Sequence, residues 1–309
     1  MTVLDQVRKG GKAAVAKALA AIEAAPETSE TAALLDAAYA APQGSVIGLT
    51  GPPGVGKSSL VDRLIQEVRG RDQSIAVIAV DPSSKVSGGA LLGDRTRFTT
   101  DPDDRGIFVR SMAARSRLGG IADLTYPSSV LLRSLYDLVI VETVGVGQSE
   151  TAVTQVADLV VFCAQPGSGD ALQFMKAGIM EVPDMILVTK ADLGPLARQT
   201  MSDLRGALSL LATNTPPTRM QCSASQYPGI YEVADWLLDR STSLDMSVNA
   251  RHRAQLQEWL SDQIKDRFGR AGLKVGENLD LMAGQTPFSN LKFALKELQM
   301  RFDEAFASH

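Results

Sequence analysis

One eight-residue stretch constrains this chain more than any other. Gly51-Pro52-Pro53-Gly54-Val55-Gly56-Lys57-Ser58 fits the pattern G-x-x-x-x-G-K-[ST] in full. An apolar run, Ser45 to Leu49, precedes it, and an amphipathic stretch carrying Leu60, Val61, Leu64, Ile65 and Val68 follows. That order predicts strand, loop and helix. Gly54 and Gly56 let the backbone wrap closely around phosphate oxygens, with N–H groups forming an anion nest at a helix start. Lys57 brings positive charge to the β- and γ-phosphates, and Ser58 offers a hydroxyl to magnesium. The predicted nucleotide contacts here run from Gly51 through Ser59.

A loop of this kind needs a sheet to present it, and the sequence supplies one. Between about 43 and 240, short β-rich runs alternate with helical stretches. The runs are Ser45 to Leu49, Ile75 to Val80, Ile107 to Val109, Leu138 to Val141, Leu159 to Phe162, Met185 to Val188 and Thr218 to Cys222. Wholly apolar strands between helices predict a mostly parallel sheet covered on both faces, an α/β P-loop NTPase fold. Residues 1–42 read as a two-helix extension, the second helix starting at Thr28 or Ser29 ahead of Glu30. Residues 241–309 read as helical again. One stripe there runs through Leu256, Trp259, Leu260, Ile264 and Phe268, and a second through Phe288, Leu291, Leu295, Leu298, Phe302 and Phe306. Gly269, Gly272 and Gly276 are expected to separate the two helices. The stripes suit either the chain's own core or a dimer interface.

Two strands end in acids. Leu138-Val-Ile-Val-Glu142 is followed by Gly145, which could touch a γ-phosphate, and Ile75 to Val80 is followed by Asp81. Carboxylates at strand ends beside the phosphate loop converge on the crevice where such sheets bind ligands. After Met185 to Val188 comes Thr189-Lys190-Ala191-Asp192, similar to the guanine-reading N-K-x-D element with Thr in the Asn place. Asp192 can accept from the ring N–H and the exocyclic amine of guanine, and leaving it unpaired penalises adenine. The Lys190 stem can cover the base face. Cys222-Ser223-Ala224 resembles the loop whose backbone amide meets the guanine carbonyl. Thr189 removes an amide donor, so weaker support of this loop is expected.

Further strings stand in order: Asp81-Pro-Ser-Ser, Gly88-Gly-Ala-Leu-Leu-Gly-Asp94-Arg-Thr-Arg97, Leu118-Gly-Gly, Glu142-Thr-Val-Gly-Val-Gly-Gln148-Ser-Glu150-Thr and Pro166-Gly-Ser-Gly-Asp170. Together they resemble the MeaB/ArgK-type GTPases, called MMAA in mitochondria, G-protein chaperones of adenosylcobalamin-dependent methylmalonyl-CoA mutase and related acyl-CoA mutases. The resemblance implies a SIMIBI-type G domain binding GTP/GDP and Mg2+, and a homodimer formed through the C-terminal helices. It also implies a magnesium sphere from Ser58, Asp81, Asp94 and Glu142. Switch segments would run from Asp81 to about Arg110, Gly145 to Thr151 and Gly167 to Gly178. Within the last of these, Asp170-Ala171 and Lys176-Ala177 stand where the family usually has Asp-Glu and paired lysines. Lys57 is the expected charge supplier in hydrolysis. Val146, after Gly145, cannot orient water, which leaves Asp81 and Gln148 as candidates.

Two alternatives share this fold: a metal-delivery GTPase of the urease or hydrogenase maturation type, and a small-molecule P-loop kinase. A stock of two cysteines (Cys163, Cys222) and two histidines (His252, His309) argues against metal delivery. A net charge of −4 argues against a nucleic-acid or anionic-membrane partner. The N-terminus lacks an apolar core followed by a cleavage site, so a cytoplasmic protein is expected.

Overall fold

The computed structural model describes residues 2–82, 98, 100–114, 123–143, 152–167, 182–209, 215–242, 246–276, 281 and 286–307, without the side chains of residues 81–82, 114, 242, 246–249, 274–276 and 305–307. Asp94, Gly145 and Gln148, and most of the expected switch segments, lie outside these residues. Contacts divide the chain into two compact units, one of Gly44–Thr125 with Tyr136–Leu244 and one of Met1–Gln43, Tyr126–Leu135 and Asp245–His309.

The first unit is a seven-stranded sheet. Its strands are β1 (Ser45–Thr50), β2 (Ile75–Pro82), β3 (Ile107–Ala114), β4 (Leu138–Glu142), β5 (Leu159–Ala164), β6 (Met185–Val188) and β7 (Thr218–Gln221). They lie in the order β3-β2-β4-β1-β5-β6-β7, and every pairing is parallel. All residues of β1, β4, β5 and β6 are buried, as sheets covered on both faces require. Carboxylates set where two strands begin. Asp158 accepts the Val46 N–H at 2.8 Å, and Asp184 accepts that of Val160 at 2.8 Å. β3 extends five residues past the expected Val109, its Arg110 and Ser111 tolerated on an edge strand that pairs only with β2. Helix α3 (Lys57–Arg69) buries Leu60, Val61, Leu64, Ile65 and Val68 in the core beside β1 and β2. Helices α5 (Pro195–Leu208) and α6 (Ile230–Thr242) also belong to this unit.

β4, not β2, lies beside β1. Glu142 therefore stands on a strand next to the phosphate-loop strand, with Leu49 as its register partner, whereas Asp81 lies one strand further out. The expectation that both acidic strands flank β1 holds for β4 alone. The crossover after β1 passes over the place that β4 later fills, which sequence order does not reveal.

The second unit is helical. It holds α1 (Val3–Ala24), α2 (Ser29–Ala40), α4 (Thr125–Arg133), α7 (Met246–Gly276) and α8 (Pro287–Ala307). Thr2 and Asp5 form a reciprocal cap on α1, and Thr28 caps α2 by accepting from the Thr31 N–H at 3.2 Å. The tail glycines interrupt helix as expected at two of the three positions. Gly269, at φ 64° and ψ −161°, leaves helical geometry and divides α7 at a kink, Gly272 lies inside the second segment, and Gly276 is its last residue. Leu256, Leu260, Ile264, Phe288, Leu291, Leu295 and Leu298 are all buried within the chain. Tyr126 stacks on Trp259 at 5.6 Å between centroids, Trp259 meets Phe288 at 5.4 Å, and Phe268 stacks on Phe302 at 5.3 Å. Both stripes thus serve the chain's own core. The side chain of Phe306 lies outside the described residues. No helix among the described residues is long and apolar enough to cross a membrane.

A buried carboxylate fastens the tail to the N-terminal helices. Asp36 on α2 accepts from the Phe288 N–H at 2.8 Å, the Ser289 N–H at 3.1 Å and the Ser289 hydroxyl at 2.5 Å, capping α8 from a neighbouring helix. Removing it strands buried donors of a helix first turn. Asp36→Ala should lower stability by about 2 kcal/mol, the cost of unmet buried donors, with Asp36→Asn losing less. Urea denaturation of the two variants measures this, and unchanged midpoints would show that the cap contributes nothing.

Candidate nucleotide site

The phosphate loop joins the end of β1 to α3, and its glycines are needed for stated reasons. Gly51, Gly54 and Gly56 have φ of 139°, 74° and 102°, which side-chain-bearing residues rarely adopt. At Gly51 a Cβ would also come within 2.4 Å of the Cys163 carbonyl oxygen on β5. At Gly54 and Gly56 it would meet nothing within 4 Å, so there the demand is conformational.

The charged and hydroxyl groups predicted to serve phosphate are assembled around this loop. The Lys57 ammonium, with its side chain buried, donates to the Gly51 carbonyl at 2.8 Å and the Pro52 carbonyl at 3.1 Å. Ser58 donates to Glu142 Oε1 at 2.7 Å, joining the start of α3 to the end of β4. Beside Glu142, the Thr143 amide donates to the Leu49 carbonyl at 3.0 Å, and its hydroxyl lies 3.1 Å from that of Thr50. A hydroxyl and a carboxylate in contact at a phosphate loop are hard oxygen donors, and they fit Mg2+.

The base-reading elements converge from the ends of β6 and β7. Asp192 sits in a short 3-10 turn, Ala191–Leu193, and accepts from the fully buried Ser223 hydroxyl at 2.5 Å. That bond, before all else, holds the Asp192 carboxyl below its usual range, with Lys190 adding to the effect. The two loops are also joined by the Ala191 N–H donating to the Cys222 carbonyl at 3.0 Å. Lys190, at φ 52°, reaches back to the Gly54 carbonyl at 2.8 Å and to Gln165 Oε1 at 3.1 Å. Its stem therefore crosses toward the phosphate loop, as a cover for a base would.

Thr189 departs from expectation in a useful way. Its buried hydroxyl donates to the Val55 carbonyl at 2.7 Å, with the Ala164 carbonyl 3.2 Å away. The expected loss of support does not occur. A shorter side chain makes the tie to the phosphate loop directly. The Ser223 N–H is taken by the Pro228 carbonyl at 2.9 Å.

Arg63 carries no motif signal and was not among the predicted site residues. From α3 it donates to the Ala224 carbonyl at 3.0 Å, and its guanidinium lies 4.3 Å from the Tyr227 ring centroid. Gln165 and Thr143 were likewise invisible in the sequence, since their parts depend on strands distant in the chain. The two cysteines are inert. Burial pushes the Cys222 thiol up to about 12 and that of Cys163 higher still. With β6 between their strands, the cysteines stand about two strand spacings apart, ~9.5 Å, beyond the ~7 Å reach of a disulfide.

With the site in view, similarity to known proteins has a structural meaning. Residues 15–274 match the family described as methylmalonyl Co-A mutase-associated GTPase MeaB. The chain belongs to the MeaB family. A relative from Pyrococcus horikoshii is 43% identical over 192 residues, and the matched region spans 62% of this chain but only 60% of that protein. GTPase ArgK of Escherichia coli is 34% identical across 85% of this chain and 83% of its own length. The mitochondrial methylmalonic aciduria type A homolog of Mus musculus is 35% identical across 71% of this chain and 55% of its own. Among solved structures, a LAO/AO transport system kinase superposes over 97% of this chain and 96% of its own, with a TM-score of 0.68 and 26% identity. This MeaB-family chain is thus a P-loop GTPase with an all-parallel sheet.

The Ser223–Asp192 bond yields a pH test. Because it favours the ionised carboxylate, the interaction is present at neutral pH and lost only as pH falls through the depressed pKa of Asp192. Ser223→Ala raises that pKa. GDP affinity should then begin to fall at a higher pH in the variant than in the unmodified protein, as read by fluorescence titration with a labelled nucleotide. Coincident pH profiles would show that Ser223 does not control Asp192.

Proposed function

We propose that this MeaB-family GTPase is a GTP-driven chaperone of an adenosylcobalamin-dependent acyl-CoA mutase of the methylmalonyl-CoA mutase type, gating cofactor loading and protecting or reactivating the enzyme. One observation carries the reading: the match to a mutase-associated GTPase family extends over residues 15–274. The site is consistent with guanine choice, because Asp192 is held ionised and aimed by Ser223. The protein would act in the cytoplasm as a homodimer, without nucleic-acid or membrane partners.

In this reading Gly51 to Ser59 bind the phosphates, Lys190, Asp192, Ser223 and Ala224 bind the guanine, and Gly145 touches the γ-phosphate. Lys57 would leave the carbonyls of Gly51 and Pro52 for the β- and γ-phosphates. Ser58 and Glu142 would hold Mg2+, with Asp81 and Asp94 completing its sphere. When bound, the ion supplies neutralising charge to the phosphates. Asp81 or Gln148 would orient the water that forms a bond to the γ-phosphorus as the bond to the departing GDP oxygen breaks. GDP and inorganic phosphate result, the proton of the water leaving with the phosphate. Intrinsic hydrolysis is expected to be slow and to accelerate when a mutase orders the switches. Single-turnover rates with and without an acyl-CoA mutase, together with nucleotide-dependent pull-down, test this. A fast rate alone, or binding indifferent to nucleotide, would overturn it.

The dimer has its own support. With Leu256, Leu260, Ile264, Phe288, Leu291, Leu295 and Leu298 of the tail stripes buried in the chain, Phe293 and Met300 still stand 71% and 51% exposed one heptad apart on α8. Placing them at a two-fold interface would cover them. Phe293→Glu should convert the dimer to monomer in light scattering at equal concentration. A monomeric unmodified protein, or a variant dimer, would count against it. The metal-delivery alternative is disfavoured because both cysteines are buried among β5 to β7, with their thiols held protonated.

A further inference from the structure

A cavity of about 610 Å3 lies within the sheet unit, walled by α5, β7 and the start of α6, and none of the phosphate-loop residues lines it. Three arginines do: Arg198 and Arg205 from α5, and Arg219 from β7. Arg198, Ser202 and Arg205 recur at helical spacing and so share one face of α5. The two α5 arginines are about 10 Å apart along the helix axis. Glu232 is the single acid among the described lining residues.

These guanidiniums differ from others in the same unit. Arg69 pairs with Asp104 at 2.8 Å, and Arg71 with Glu67 at 3.0 Å and Asp235 at 2.9 Å. Arg63 is taken by Ala224 and the Tyr227 ring. Among the described residues, the side chains of Arg198, Arg205 and Arg219 make no hydrogen bond or ion pair, and all three are exposed and line the cavity. Three positive charges against one acid, Glu232, give this concavity a positive potential that favours an anion, on a chain whose net charge is −4.

The geometry points to a second ligand site, and we propose that it binds a small organic molecule bearing at least two phosphate groups. The volume falls in the range of small-molecule pockets, ~300–1,000 Å3. The guanidinium fork matches phosphate oxygens two at a time. Arginines about 10 Å apart on α5 suit phosphates at two ends of one ligand, while Met201, Met220 and Pro228 offer apolar wall to the organic body between them. A concave site of this size favours a small ligand over an acidic protein segment, which would need a broad face. The site is independent of the proposed mutase partner.

The test uses the 309-residue chain saturated with GDP, so that the phosphate loop is filled, and titrates it calorimetrically with inorganic tripolyphosphate at low salt. Binding should persist under GDP saturation and weaken at least ~10-fold in Arg198→Glu/Arg205→Glu, the loss expected from removing charge-assisted contacts. Arg219→Gln should weaken it less. GDP affinity, unchanged in every variant, reports that each is folded. No binding to the GDP-saturated protein, equal affinity in the double variant, or tighter binding of a hexaglutamate peptide than of tripolyphosphate would each overturn the proposal.

Discussion

Side chains ending on the carbonyls of residues 51–55 hold the phosphate loop in place: Lys57 on Gly51 and Pro52, Lys190 on Gly54, and Thr189 on Val55. These hydrogen bonds fix the path of the loop backbone, in which Gly51, Gly54 and Gly56 hold positive φ. Much of the remaining structure serves to deliver those fasteners. β5 packs so tightly on Gly51 that no side chain fits there, and β6 brings Thr189 and Lys190 to the loop from more than 130 residues away.

The same arrangement joins the phosphate loop to the loop that carries Asp192. Thr189 and Lys190 stand on that second loop, so the two loops share one set of hydrogen bonds. Arg63 adds a second link, from α3 to the Ala224 carbonyl. A shift of the base loop would be felt at Val55 and Gly54, and the reverse. Buried hydroxyls such as Thr189 and Ser223 are effective here because each is fully partnered in a site where an unmet polar atom is costly.

Legibility in the sequence varied by physical cause. β1, β4, β5 and β6 were readable because strands buried on both faces are continuously apolar. β3 and β7 were less so, because each ends the strand order and carries an arginine. The loop was readable because its backbone shape demands glycine. Strand order was not. The position of β4 between β2 and β1 separates Asp81 from the phosphate-loop strand, and no local pattern encodes which neighbour a strand takes. Arg63 was invisible because an arginine on a helix is normally a solvated residue, and its partner, Ala224, lies 161 positions away. The tail stripes announced an apolar face without naming its cover, which proved to be α2, α4 and each other.

What the sequence determined by itself was the set of local parts: a glycine-rich P-loop, a lysine and a serine beside it, and an aspartate in a loop after a strand. Local backbone preference and apolar periodicity suffice for that, since both act over a few residues. Tertiary structure alone decided how these parts are held. The pairing of Ser58 with Glu142, the capping of α8 by Asp36 and the gathering of three arginines around one cavity each join residues set far apart by the chain or by opposing elements. Such contacts arise from the order in which strands pack, and that order is settled by the burial of the whole sheet rather than by any segment of it.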